Sequence, residues 1–420
     1  MSAAQHGGTS KRTLAFLGLG FLALVGLVAV LYYYSESGFT PLSLESPPVF
    51  TRDEAGERVY LLTTHRETYR SAGHSRTRVK RSDQRVELWA IDPATARPLW
   101  RNRFRTTRDG EIRDRVLLGV HGDTIWILTA GKLVALTATN GALKASPNDL
   151  EALNPDLSGL MPTDPRYYTF DERGLHITTK DARTWLFNPD TLKASADSTE
   201  TPAPEGAFEP VVFLHAGTWN HLSRGLDSPG HWVGLLTDEE AVTFEKNNAL
   251  GGLTSDVRRR LWRARSHPPG NAYGALPDYY ELTPLTGGLD FLDGGLLGEH
   301  NVMDPPPPFR LSAPDSVLVL HREHLGESGK LRLARVTTNE GNAVWETTLP
   351  LTVVQSVIPA EGTVVLFGAE FMENYPAMGD IVRNAPERLV SVNLETGATH
   401  VHSHTAFETY LAAGEVDLGF

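Results

Sequence analysis

Two apolar patterns divide this chain. From Leu14 to Tyr34 it reads LAFLGLGFLALVGLVAVLYYY, 21 residues without a charge. As a helix rising 1.5 Å per residue, that stretch crosses a hydrocarbon core of about 30 Å. One transmembrane helix is predicted there, with Tyr32, Tyr33 and Tyr34 suited to the far interface. Lys11 and Arg12 precede the span and Glu36 follows it. The positive-inside rule then places residues 1–13 in the cytoplasm as a short tail and the rest across the membrane. The span exceeds the 7–15 apolar residues of a cleaved signal peptide, and no A-x-A follows directly, so an uncleaved anchor is expected. Residues 35–48 (SESGFTPLSLESPP) read as a linker.

From Val49 to the end, residues 49–420, the pattern changes to short β-branched and aromatic runs between turn residues. Examples are Val59-Tyr60-Leu61-Leu62, Thr124-Ile125-Trp126-Ile127-Leu128 and Val364-Val365-Leu366-Phe367. A repeat runs through them. A polar residue opens a turn at Asp92, Thr137, Asn188, Thr283, Thr337 and Asn393. Three residues later stand Thr95, Asn140, Thr191, Thr286, Glu340 and Thr396, and then Ala96, Gly141, Leu192, Gly287, Gly341 and Gly397. Eight residues after the opening come Trp100, Ala145, Ala196, Phe291, Trp345 and Val401. Asp, Asn or Thr can accept a hydrogen bond from the backbone two residues on, which starts a turn. Glycine then permits positive φ without a steric cost. The later aromatic lies on the outgoing strand, where it can fill space between sheets.

The openings are spaced 45, 51, 95, 54 and 56 residues apart. The 95 is a doubled unit, with Thr237 in LLTDEEAVTFE near the place of a decayed copy. A unit of that length holds four strands, and four-stranded units repeating radially build a β-propeller. The expected fold is all-β: a propeller of seven blades, with six or eight as alternatives, preceded by the transmembrane helix.

The motif A-x-D-x-x-T-G-x-x-x-W is matched by Ala90, Asp92, Thr95 and Trp100, with Ala96 in the glycine place. Thr396-Gly397 and Gly341 with Trp345 match it in part. On these residues the chain resembles the quinoprotein-type (PQQ-like repeat) β-propeller superfamily. Catalytic members of that family hold a quinone cofactor and calcium over the central channel, often beside paired cysteines. This chain has no cysteine, and no acidic ligand set maps onto it. The resemblance therefore points to a non-catalytic member with no cofactor, and no catalytic or metal-ligating residue is assigned.

Charge singles out one region. The net charge is −12, which gives nucleic-acid binding no overall support. Residues 65–115 nevertheless hold fourteen Lys or Arg against seven Asp or Glu. The densest part, 65–85, carries Arg66, Arg70, Arg76, Arg78, Lys80 and Arg81 and reads as an insertion. It is a candidate binding loop for an anionic partner, lipid headgroups or an acidic protein, set against a solvated surface loop. Successive turns alternate between the two ends of an antiparallel blade. The repeat turns share one end; 65–85, 321–330 and 369–388, with links 196–208, 247–276 and 292–312, fall at the other. Ser255 is expected to cap a short helix over 256–265. His400, His402 and His404 alternate on one strand and read as exposed residues of an outer edge.

Three functions fit this pattern. The first is a membrane-anchored, extracytoplasmic interaction or scaffold module of the cell envelope, with envelope proteins as partners. Its place would be the bacterial inner membrane, the propeller in the periplasm; the 31 Arg against 8 Lys suit a GC-rich bacterial genome. The second is a quinone-dependent oxidoreductase. The third is a small-ligand sensor, which with a 13-residue tail would need a partner to signal.

Overall fold

The computed structural model describes residues 38–39, 43–46, 48–53, 56–70, 80–104, 115–171, 173–197, 213–214, 219–221, 231–247, 257–267, 279–297, 315–324, 329–370, 387–404 and 414–416. The expected membrane helix, 14–34, lies outside these residues. Among the described helices none is long and apolar enough to cross a membrane.

Among the described residues, six four-stranded antiparallel units, numbered here as sheets 1 to 6, follow one another along the chain within five hydrogen-bonded sheets. Sheet 1 also takes the parallel strand Gly414–Val416 on Arg97–Phe104, and sheets 4 and 5 are joined through Arg258–His267 and Phe291–Leu297. Sheet 1 joins Val49–Asp53, Gly56–Arg70, Lys80–Asp92 and Arg97–Phe104. Sheet 2 joins Val116–His121, Thr124–Thr129, Lys132–Thr137 and Leu143–Ala145. Sheet 3 joins Tyr168–Asp171, Gly174–Thr178, Thr184–Phe187 and Ala194–Ala196. Sheet 4 joins Trp219–His221, His231–Leu236, Arg258–His267 and Tyr279–Pro284. Sheet 5 joins Phe291–Leu297, Ser316–Arg322, Leu331–Thr337 and Ala343–Thr348. Sheet 6 joins Val353–Ala360, Thr363–Ala369, Glu387–Asn393 and Thr399–His404.

The middle strands are apolar without alternation because both faces are covered. Thr124–Thr129 and Thr363–Ala369 are buried at every position. Val364 and Leu366 join a core shared with sheet 5, while their neighbours Val365 and Phe367 join a core shared with sheet 1. The outer strand Ala343–Thr348 is largely exposed. Period-two side-chain alternation thus places successive residues in two different cores.

Those cores link the sheets in sequence. Tyr60, Leu62 and Leu88 of sheet 1 meet Ile125, Ile127 and Val134 of sheet 2. Trp126 and Leu128 meet Leu175, Ile177 and Phe187 of sheet 3. Val233, Leu235 and Leu261 of sheet 4 meet Val317, Val319 and Val336 of sheet 5. Leu318 and Leu333 meet Val364 and Val390 of sheet 6. Finally Ile358, Val365 and Phe367 of sheet 6 meet Val59, Leu61 and Trp89 of sheet 1. The last sheet in sequence packs on the first, so stacking turns through a circle. Among the described residues, no one of these apolar cores joins sheets 3 and 4.

The structure departs from the sequence reading in several places. Residues 65–70 and 80–85 are not loop: the ladder of sheet 1 runs unbroken from Val59↔Ile91 to Arg70↔Lys80. Two short strands, Gly38–Phe39 and Ser43–Leu44, inside the range read as linker, pair with the outgoing arm of that hairpin. The helix expected over 256–265 is instead the strand Arg258–His267, held between neighbours on both edges. Phe291–Leu297, which overlaps the range read as the link 292–312, is instead the first strand of sheet 5, paired with Ser316–Arg322.

Among the described residues two α-helices lie between strands, each announced by a capping box. Helix α1, Pro147–Leu153, starts at Ser146, which accepts from the Asp149 amide while Asp149 accepts from the Ser146 amide. Helix α2, Asp238–Asn247, starts at Thr237 with Glu240 in the reciprocal role. Thr237 thus caps a helix rather than opening a repeat turn.

Candidate functional site

The repeat turns form the regular end of the molecule. In four of them the opening residue's amide donates to the carbonyl five positions on, and the amide four positions on donates back. The pairs are Thr137 with Ala142 and Gly141, Asn188 with Lys193 and Leu192, Thr337 with Asn342 and Gly341, and Asn393 with Ala398 and Gly397. Asn393 Oδ1 also accepts from the Glu395 and Thr396 amides and the Thr396 hydroxyl, and Asn188 Oδ1 from those of Asp190 and Thr191. In sheet 1, Thr95 donates to Asp92 Oδ2 at 2.6 Å. The fourth position has positive φ in all five: Ala96 58°, Gly141 68°, Leu192 56°, Gly341 83° and Gly397 72°.

Thr283 and Gly287 stand apart. Thr283 sits inside a strand opposite Arg263, and positive φ falls on Gly288. The chain around Gly287 passes from sheet 4 to sheet 5, and the Gly287 amide donates to the Glu340 carbonyl of the next repeat turn. Thr237, which directly follows the second strand of sheet 4, and Thr283, within its fourth strand, were read as openings of two units and therefore fall within one.

The residue just after each opening carries a carbonyl that ties the sheets together. Trp100 Nε1 donates to the Ala138 carbonyl (3.1 Å), joining sheets 1 and 2. Thr124 Oγ1 and Lys144 Nζ donate to that of Pro189 (2.7 and 3.1 Å), joining 2 and 3. Arg263 donates to that of Thr338, joining 4 and 5. Trp345 Nε1 and Arg335 Nη1 donate to that of Leu394 (both 3.1 Å), joining 5 and 6. Ser391 Oγ donates to that of Pro93 (2.5 Å), joining 6 and 1. The two tryptophans also rest on the next turn's glycine: a Cβ on Gly141 would lie 2.5 Å from the Trp100 ring, and one on Gly397 2.8 Å from that of Trp345. This end is built for rigidity.

The opposite end, where second strands meet third strands, is irregular and is the candidate functional surface. Sheet 1 contributes the long hairpin of Gly56–Arg70 and Lys80–Asp92. Arg66 pairs with Gln84, Tyr69 with Arg81 and Arg70 with Lys80. Arg76 and Arg78 lie outside the described residues. Sheet 4 contributes α2, fastened by Arg259, whose guanidinium forks onto Glu240 (Nε 2.9 Å, Nη2 2.7 Å) and is 1% exposed. Burial works to raise the Glu240 carboxyl, but the bonds from Arg259 and the Thr237 amide outweigh it and hold it below its ordinary value.

Sheets 5 and 6 contribute an ion-pair network. Arg322 pairs with Asp293 at 3.2 Å and donates to the Gly329 and Thr352 carbonyls, and Arg388 pairs with Glu370 at 2.5 Å. Arg332 bridges Glu323 and Glu346. His321 lies 3.1 Å from Glu346 with its ring edge-on to Phe291; burial pushes its imidazole below the ordinary value against the pull of Glu346.

Two further polar groups, Arg115 and His176, had no local signal in the sequence. Arg115 is 4% exposed with no hydrogen-bond partner on its guanidinium; burial lowers its pKa, and the nearby Glu45 charge opposes this. His176, 1% exposed, stands with one ring nitrogen 2.8 Å from Asp171 and the other 2.9 Å from Asp197. His400 is exposed on the outer strand of sheet 6, with His402 half-buried on the same strand. Among the described residues no group of three or more His, Asp or Glu is arranged to hold a metal.

Residues 49–148, covering sheets 1 and 2, match the PQQ_2 family model, described as "Outer membrane protein assembly factor BamB". The repeat of sheets 1 and 2 is PQQ-like, and the fold is a β-propeller. No curated protein matches the chain. Among solved structures, BamB from Moraxella catarrhalis is 13% identical, with 86% of this chain and 85% of that one covered and a TM-score of 0.18. The Dos1 propeller is 9% identical over 88% and 87%, with a TM-score of 0.20. Quinohemoprotein alcohol dehydrogenase from Comamonas testosteroni is 11% identical over 92% and 71%, with a TM-score of 0.20. At these scores the likenesses add nothing to the argument from the repeat and the seams.

Proposed function

We propose that this propeller is a membrane-anchored, extracytoplasmic interaction module of the bacterial cell envelope, a scaffold that binds envelope proteins through its irregular end. The observation that carries the reading is the contrast between the two ends of one ring. Five near-identical turns make one end stiff, whereas the hairpin of sheet 1, helix α2 and the charged network of sheets 5 and 6 elaborate the other. Varied loops on a rigid scaffold are how such folds present binding surfaces. The family matched by residues 49–148 is described as an assembly factor, which agrees with a role in bringing proteins together. In this reading the ring has six blades, one for each described sheet, because Thr237 and Thr283 fall within one unit. The uncharged span 14–34 anchors the ring in the inner membrane, with the propeller in the periplasm.

The test uses the full chain in native membranes. The absence of cysteine lets one reactive site be placed at will. A photo-crosslinker on Lys330→Cys, at the irregular end, should capture a defined envelope protein. The same probe on Thr396→Cys, at the turn end, should capture none. Capture from neither site, or equally from both, overturns the interaction role. Extraction of the chain by alkaline carbonate overturns the anchor alone.

A further inference from the structure

We propose that the hairpin of sheet 1 lies against the anionic phospholipid headgroups of the membrane that anchors the chain; the inference rests on the anchor and names the partner of one part of the irregular end. The first observation is a juxtaposition. Gly38 and Phe39 pair with Thr68 and Glu67 on the outer part of the hairpin. The expected membrane span ends at Tyr34, four residues earlier. Four residues reach at most about 14 Å even when fully extended. The hairpin end is thereby tethered to the bilayer surface by the shortest route the chain offers.

The second observation is a difference between the two faces of that ladder. The register puts Arg70 opposite Lys80, Thr68 opposite Ser82 and Arg66 opposite Gln84. By strand alternation these positions share one face, which carries three basic residues and no acid. The other face takes Tyr69 and Arg81, Glu67 and Asp83, His65 and Arg85, two basic against two acidic. The rest of the molecule supplies little attraction to an anionic surface: the net charge is −12 although residues 65–85 contribute seven Lys or Arg against two Asp or Glu. Basic residues held within a Debye length of anionic headgroups are drawn to them. An acidic protein would also suit the charge, but the register gives no reason for one to stand beside residue 38, where the bilayer already is.

The full chain is reconstituted into nanodiscs with a fluorophore on Ser82→Cys and a quencher on the lipid headgroups. Quenching should be about threefold greater in discs containing phosphatidylglycerol than in phosphatidylcholine discs, and high salt should abolish the difference. The triple variant Arg66→Gln, Arg70→Gln, Lys80→Gln should remove it too, while a fluorophore on Thr396→Cys stays unquenched throughout. Equal quenching in both lipids at low salt overturns the proposal, and the wild-type salt titration decides this even if the variant fails to fold. Capture of an envelope protein from Ser82→Cys together with lipid-blind quenching assigns the hairpin to a protein and overturns it as well. A chain that does not co-purify with phosphatidylcholine discs refutes the anchor, and the hairpin proposal falls with it. Lipid-blind quenching in a chain that does co-purify refutes the hairpin proposal alone.

Discussion

Two kinds of seam hold this ring together. Where sheets 1 and 5 meet their successors, a tryptophan lies on the next turn's glycine and its indole N–H reaches the carbonyl after the turn opening. Where sheets 2, 4 and 6 meet theirs, the tryptophan place is taken by other residues, yet the same carbonyl is still met, by Thr124 and Lys144, by Arg263 or by Ser391. The constant feature is the acceptor, and the donor varies. A buried carbonyl must be paired because leaving it bare costs about 1–3 kcal/mol, whereas many side chains can supply an N–H or O–H.

The severest break is at the glycine beneath a tryptophan. Gly141→Val combines positive φ with a Cβ 2.5 Å from the Trp100 ring, so denaturant unfolding should show a loss of about 3 kcal/mol or more. Gly362→Ala, with similar φ but nothing within 4 Å, should lose only about 1–2 kcal/mol. Equal losses would show that the tryptophan contact is incidental.

Next come the tryptophans themselves. Trp100→Phe leaves the Ala138 carbonyl only Tyr60 Oη at 3.4 Å, while Trp345→Phe leaves Leu394 the Arg335 guanidinium at 3.1 Å. The first should cost about 1–2 kcal/mol more than the second in chemical denaturation. Ser391→Ala removes the donor to Pro93 at the closing seam and should cost about 1–2 kcal/mol. A neutral result there would mean that apolar contact alone closes the ring.

The smallest effect concerns pH. Burial depresses the His321 imidazole, so the folded state binds this proton less readily than the unfolded chain. The stability this confers is present above the ordinary histidine value of about 6.5 and is lost as pH falls through the depressed value. Thermal scans should show the wild type losing more stability than His321→Gln as pH falls below about 6.5. Parallel curves would remove His321 from the account.

Much of the regular end was legible in the chain. The openings at Asp92, Thr137, Asn188, Thr337 and Asn393 make local hydrogen bonds over three to five residues, and such bonds follow from residue type. The sequence reading failed where two local signals competed. Thr237 to Glu240 carries a capping box that was legible but read as a decayed turn. Ser255 and the run 256–265 suggested a helix, yet Leu261, Trp262 and Ala264 are buried in strand pairing, and tertiary burial overrode the local signal. At the irregular end, the basic composition of 65–85 was visible but its division into a basic and a balanced face was not, because that depends on register.

By itself the sequence determined the four-stranded unit, its turn chemistry and the apolar runs that demand cover on both faces. These depend on neighbours a few residues apart and on side-chain alternation along one strand. Only the tertiary structure decided that Thr237 and Thr283 fall within one unit, that sheet 6 meets sheet 1, and that Gly38 lies beside Thr68. Those outcomes turn on which distant surfaces exclude water together, and that free energy belongs to pairs of segments rather than to either segment alone.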